Sequence, residues 1–309
     1  METEDLSVSS EDYEENNDKE IIEMFEENIE NLEQVNENLS LIIENMMKYA
    51  SKKKLKNISE CLYNKIIPSL INSNNGNNYN NSNNIKIAIN LIDDLIEYLD
   101  FNKVTTYILD YLINILIKYS KYNKPDVRQA ANYGLGIFIK LSENNIYEKY
   151  YLEILKALKA SCINFPFNNS TNKKIFRANG LAYENAIAAI GKAIGYKKLK
   201  EMEYIYLWID NLPLNIDETE MEEGHIILCE FILNNIYKEY NLEEKYLIKI
   251  IKILINIYQE KNVSNQSIND KIKNIFHNKV ELRQFIEKIY NEYNKENNVN
   301  KNKIEILIK

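Results

Sequence analysis

The sequence predicts an all-α protein built as a stack of helix pairs. Three observations carry that reading: a shortage of turn-forming residues, an apolar periodicity of three and four, and helix pairs recurring at near-constant intervals. Only 7 Gly and 4 Pro occur in 309 residues. That is too few for a fold that turns tightly at every hairpin, so a β-sandwich or β-barrel is disfavoured. The hydrophobic residues make up 45% of the chain and the charged ones 27%, which is ordinary for a folded domain. Length alone suggests about two domains of roughly 150 residues, unless the chain is a repeat array.

The first element is a predicted helix over 18–50. Ile22, Phe25, Ile29, Leu32, Asn36, Leu39, Ile43 and Met46 alternate at four and three residues. They read either as a short heptad seam with a register-setting Asn or as the buried face of an ordinary repeat helix, and the second is preferred. A partner helix over 55–71 follows. Residues 72–84, Asn-rich with one Tyr and one Gly, have little to bury and are expected to form a disordered loop.

Beyond the loop, Ala88, Leu91, Ile92, Leu95, Ile96 and Leu99 mark one helix face. Ile108, Leu109, Leu112, Ile113 and Leu116 mark the next, and Ala186, Ile187, Ile190, Ala193 and Ile194 another. Leu247, Ile250, Ile251 and Leu254 repeat the pattern. Pro125 followed by Asp126 opens a helix, because the missing N–H costs nothing in the first turn. Asp217 with Glu220 resembles a capping box, and Ser267 with Asp270 is a weaker one. Gly195 followed by Lys197 and Lys198 reads as a helix end. First helices starting near Ile85, Pro125, Asn172, Asp217 and Asn265 are spaced by 40, 47, 45 and 48 residues. That is the period of two-helix solenoid repeats, and about six repeats fit. The expected organisation is an acidic flexible segment 1–17, a solenoid 18–293 interrupted at 72–84, and a C-terminal tail 294–309.

The formal net charge of −8 is unevenly placed. Residues 1–34 hold 14 acidic residues and one basic one, so the rest of the chain carries +5. An acidic head repels nucleic acid and anionic membranes, although a solvated entry segment is the simpler reading. Cys61, Cys162 and Cys229 lie far apart with no C-x-x-C pair, which suggests neither a disulfide framework nor a thiolate zinc site. Each falls in an apolar stretch and is expected to be buried. The N-terminus lacks the basic and apolar regions of a secretory signal, and no apolar run is long enough to span a membrane. An intracellular, reducing location is expected.

The most informative stretch is Lys124-Pro125-Asp126-Val127-Arg128-Gln129-Ala130-Ala131-Asn132-Tyr133-Gly134-Leu135-Gly136. It resembles the HEAT-repeat signature, in which Asp and then Val-Arg open a helix followed by small residues. Asp satisfies backbone N–H groups at the helix start, Arg can reach an Asp of the adjacent repeat, and Ala131 and Gly134 permit close packing. The Arg-Gln-Ala-Ala-x-Tyr-Gly-Leu-Gly form is similar to the karyopherin-beta nuclear transport receptors, in the importin-5 (importin beta-3) branch. Glu184-Asn185-Ala186-Ile187-Ala188-Ala189-Ile190-Gly191-Lys192 resembles that branch's following repeat. Trp208-Ile209-Asp210-Asn211-Leu212-Pro213-Leu214 resembles its Trp-x-x-x-Leu-Pro-Leu segment, and Ile227-Leu228-Cys229-Glu230-Phe231-Ile232 continues in register. The likeness covers about residues 85–260.

The resemblance implies a right-handed HEAT-repeat superhelix of antiparallel helix pairs from the C-terminal portion of such a receptor. It implies a non-catalytic monomer, without cofactors, that shuttles between cytoplasm and nucleus. Its partners would be import cargo proteins and Phe-Gly nucleoporins. Ran-GTP would act through N-terminal repeats that have no counterpart here. The family's receptors are much longer, and none of its cargo-binding residues maps onto this sequence position by position. The alternative is a HEAT-repeat scaffold organising a multiprotein complex, which the Trp208–Leu214 stretch does not favour.

Residue chemistry offers little else. His225 and Cys229 stand one helical turn apart near Glu222, half of a metal site at most. No Gly-rich phosphate loop, nucleophile elbow or H-E-x-x-H motif occurs, so catalysis is not expected. Trp208 suits core packing, with a partner-binding anchor as the other reading. Phe165 and Phe167, in a polar connection, either touch a partner or plug a gap between repeats. The runs Lys52-Lys53-Lys54 and Lys197-Lys198 are expected at helix C-termini, and they lack the interleaved aromatics of single-strand binders.

Overall fold

The computed structural model describes residues 38, 41, 42, 45, 48, 49, 52–72, 78–98, 106–164, 173–197, 199, 201–293 and 298–308. Among them there is helix and no strand. The chain divides into two compact units, Met1–Leu62 and Tyr63–Lys309. Of the first, helix α1 spans Lys52–Cys61, and the predicted heptad positions lie outside the described residues. Lys52 to Lys54 form the first turn of α1, so the expectation of a dipole-matched C-terminal run is corrected. Cys61 is exposed, whereas Cys162 and Cys229 are buried.

After a π turn at Leu62–Ile66, the second unit runs α2 (Ile67–Asn72), α3 (Asn78–Tyr98), α4 (Thr106–Tyr119), α5 (Pro125–Leu141) and α6 (Asn144–Asn164). It continues with α7 (Lys173–Lys197), α8 (Met202–Asp210), α9 (Glu218–Leu233), α10 (Ile236–Glu239) and α11 (Glu244–Ile257). The last helices are α12 (Gln266–Asn278), α13 (Arg283–Tyr293) and α14 (Asn298–Ile308). Helices α3, α5, α7, α9 and α12 each pack on the next. A second set is linked as α4 on α6 and as α8 on α11 on α13.

The Asn-rich segment is shorter than composition suggests. Residues 73–77 lie outside the described residues, but 78–84 belong to α3, where Ser82 and Ile85 are buried. Asn is a poor helix former rather than a forbidden one, and packing of the apolar residues beyond it carries the helix back. With this correction the first-helix starts fall at 78, 125, 173, 218 and 266. The intervals, now 47, 48, 45 and 48, are more even than the sequence suggested.

The predicted C-terminal tail is corrected as well. Helix α14 packs against α11, α12 and α13, with Ile304 and Leu307 both at 0% exposure. Apart from Val299, its apolar residues, Ile304, Ile306, Leu307 and Ile308, crowd into the last five positions, so no periodicity spans the helix.

Helix starts follow the local chemistry. Pro125 sits in the first turn of α5 behind an extended Lys124. Asp217 caps α9, its side chain accepting from the Glu220 N–H at 3.2 Å. At α12 the cap is Asn265, accepting from Ile268 N–H at 3.0 Å, and Ser267 lies inside the helix. The core is aliphatic: Ile89, Ile92, Leu95, Ile96, Leu112, Ile113 and Leu116 are all fully buried. Helix α7 is the longest, and 13 of its residues are buried.

Candidate interaction surface

The motif that opens α5 serves contacts between helices. Val127 and Ala131 are fully buried and Arg128 is 1% exposed. The Arg128 guanidinium donates to the carbonyl oxygens of Tyr122 at 2.8 Å and Asn123 at 3.0 Å. It also donates to Oδ1 of Asn179 on α7 at 2.6 Å. An amide thus stands where an Asp of the adjacent repeat was expected, and the negative charge acting on Arg128 is Asp126 of its own helix. Burial brings the guanidinium down to about 10. These three neutral oxygens meet the terminal nitrogens of the planar fork.

Trp208 is 0% exposed and lies edge-on to Phe231, with ring centroids 5.9 Å apart. Gly191 makes this possible, since a Cβ there would stand 2.5 Å from the indole nitrogen. Trp208 presents nothing to a partner, so the anchor reading is corrected in favour of the core. Phe165 and Phe167 lie outside the described residues.

Three polar constellations join consecutive helices, and sequence reasoning missed them. Glu184 on α7 accepts from the N–H groups of Asn215 and Ile216 at 2.8 Å and of Asp217 at 3.0 Å. It therefore closes the start of α9 from outside, doing what Glu220 does in an ordinary capping box. Burial raises the Glu184 carboxyl, and the three N–H groups partly offset that. Beside it, Asn185 donates to Asp217 Oδ2 at 2.8 Å.

Glu220 turns instead to Lys192. The Lys192 Nζ donates to both its carboxylate oxygens, at 2.8 and 2.9 Å, and both side chains are below 5% exposed. Glu223 extends the cluster, 3.4 Å from Lys192, 2.7 Å from Lys140 and accepting from Tyr196 at 2.7 Å. Burial pushes Glu223 up, but its partners more than compensate and hold it below the ordinary value. The cluster ties α5, α7 and α9. Part of its signal was available: Lys192 is the one charged residue in the run Ala186–Ile194, which is otherwise apolar or glycine.

The third is a row of exposed ion pairs along the second set of helices. Asp110 on α4 meets Lys149 on α6 at 2.5 Å, and Lys159 on α6 meets Glu203 on α8. Asp210 on α8 meets Lys249 on α11 at 2.7 Å, and Glu244 on α11 meets Lys288 on α13 at 2.7 Å. Every consecutive pair in that set is bridged.

His225 is fully buried, its Nδ1 3.1 Å from the Val263 carbonyl oxygen, and burial lowers it to about 4. The Cys229 thiol is pushed up to about 12 by burial. Glu222 accepts from Asn265 at 2.6 Å. No group of three or more potential metal ligands gathers among the described residues. A cleft of about 610 Å³ lies between the starts of α7, α9 and α12, lined by Phe176, Arg177, Ile216, Met221, Lys261 and Val263 among others. Among the described residues no helix is long and apolar enough to cross a membrane. No protein-family model matches the chain.

Proposed function

We propose that the chain is a HEAT-type helical-repeat segment that binds other proteins, working as part of a karyopherin-beta nuclear import receptor of the importin-5 kind. The observation that carries the repeat reading is the even series of first helices at 78, 125, 173, 218 and 266, each packed on the next. The Lys124–Gly136 motif lies at those contacts, as a repeat signature should. The resemblance of the Arg128–Gly136 and Trp208–Leu214 stretches supports the transport reading.

In this reading the mechanism is binding without catalysis. Cargo proteins take the surface of the second helices, Phe-Gly nucleoporins occupy apolar grooves, and Ran-GTP acts through repeats outside this segment. A direct test is immobilised chain with a purified Phe-Gly repeat segment, alongside import of a fluorescent fusion into nuclei of permeabilised cells. Micromolar, saturable capture together with nuclear entry is expected. Failure of both, for this chain and for a longer version of the protein, overturns the transport reading and leaves a general scaffold.

A further inference from the structure

One buried carboxyl group, that of Asp93, has an oxygen without a hydrogen-bond partner. Asp93 on α3 is 6% exposed, and its Oδ1 accepts no hydrogen bond. It is accommodated because α5 carries Gly134 at the contact. A Cβ built on that glycine would stand 1.8 Å from Asp93 Oδ1 and 3.1 Å from Cδ1 of Leu116 on α4. The two helices therefore close directly onto the carboxyl group, and no room is left for a side chain between them.

Among the described residues, the ionisable surroundings offer it no positive charge. On its own helix the groups acting on it are Asp94 and Glu97. From α5 the facing group is the Tyr133 phenol, on which Asp93 itself acts. The other charged residues of α5 are engaged elsewhere: Asp126 acts on Arg128, Arg128 binds carbonyl and amide oxygens, and Lys140 binds Glu223. Helix α4 presents Leu116, while its Asp110 is paired with Lys149 and its Lys118 lies over the Tyr119 ring. Helix α2 carries no ionisable side chain. Lys192 of α7 reaches the far side as a cation over the Tyr133 ring, 5.7 Å from its centroid, but is bound to Glu220. Burial first, and Asp94 and Glu97 next, hold the Asp93 carboxyl well above the ordinary value, so the neutral acid is the form that fits.

The geometry points to a pH-sensitive joint between α3 and α5, closed on a neutral Asp93 and loosened when that proton passes to solvent. The direction follows from linkage. A carboxyl group whose folded value is raised contributes closure that is complete below the unfolded value, about 4, and is lost as pH rises through the folded one. Alkalinity loosens the joint; acid does not.

Hydrogen exchange of the intact chain from pH 5 to 9, with each rate divided by its intrinsic chemical rate, reads the opening directly. The ratio of opening constants for 85–98 in α3 over 244–257 in α11 is the quantity to follow. It is expected to climb by up to about tenfold per pH unit across the titration. In Asp93→Asn, which keeps the shape and cannot ionise, the ratio is expected to stay flat. A flat ratio in the wild-type chain overturns the inference with no variant needed, and so does an undiminished climb in Asp93→Asn.

Discussion

At His225 a single side chain sets an acid limit on the fold. Its imidazole is enclosed, held neutral by burial and brought to about 4, against about 6.5 for an unfolded histidine. A depressed value means the stabilising contribution is whole above about pH 6.5 and is lost as pH falls towards 4. The loss should reach about 3 kcal/mol, seen as a falling denaturation midpoint, and His225→Gln should flatten that part of the profile. Lys192 gives a second prediction at this scale. Removing one partner of a buried pair strands the other charge, so Lys192→Met should cost about 3–5 kcal/mol in chemical denaturation. The double change Lys192→Met with Glu220→Leu should recover most of that loss, because a well-packed apolar pair replaces the ions. A double variant as unstable as the single one would show that the wider cluster with Glu223 and Lys140 resists such a swap.

Individual helices show what the sequence could and could not reveal. Starts governed by a local cap were legible: Pro125, Asp217 and Asn265 lie within a residue of the observed beginnings. So were faces with four or more apolar residues in phase, as in α4 and α11. The Asn-rich start of α3 was not, since its helicity comes from packing beyond it and composition reports only propensity. Arg128 was placed correctly at a helix contact but given the wrong acceptor, because the residue opposite, Asn179, is 51 positions away and no local pattern selects it. Helix α14 escaped notice because its apolar residues crowd into its last turn and a half after a polar start, yet Tyr290 donates to Glu305 at 2.9 Å and Lys303 to the Asn256 carbonyl at 3.0 Å. Truncating Leu307 to Ala should cost about 2–5 kcal/mol in thermal or denaturant unfolding. A neutral outcome would mean that α14 adds nothing to the core it covers.

Across the whole chain, the second unit carries its own apolar core from Ile67 to Leu307. A chain beginning at Lys52 should therefore melt within a few degrees of the 309-residue chain in calorimetry. A fall of ten degrees or more would assign the first 51 residues a structural part. The exposed ion pairs along the second helices are regular, but each is worth only about 0–1 kcal/mol and is screened by salt. The stack is held by its aliphatic interior and by the buried polar contacts at α5, α7 and α9. The surface charges keep register more than they add stability.

The outside cap on α9 also gives this junction a direction in time. Nucleating a helix is its costly step, and the acceptor for the N–H groups that lead into α9, those of Asn215, Ile216 and Asp217, is Glu184, 33 residues earlier in the chain than Asp217. Asp217 caps the first turn from within its own segment, but the approach to that turn is held only once α7 is in place. During synthesis from the N-terminus, α7 emerges first and waits as a template. Assembly at this junction is thus vectorial: α9 is primed by α7, and a chain released backwards would find this outside cap absent.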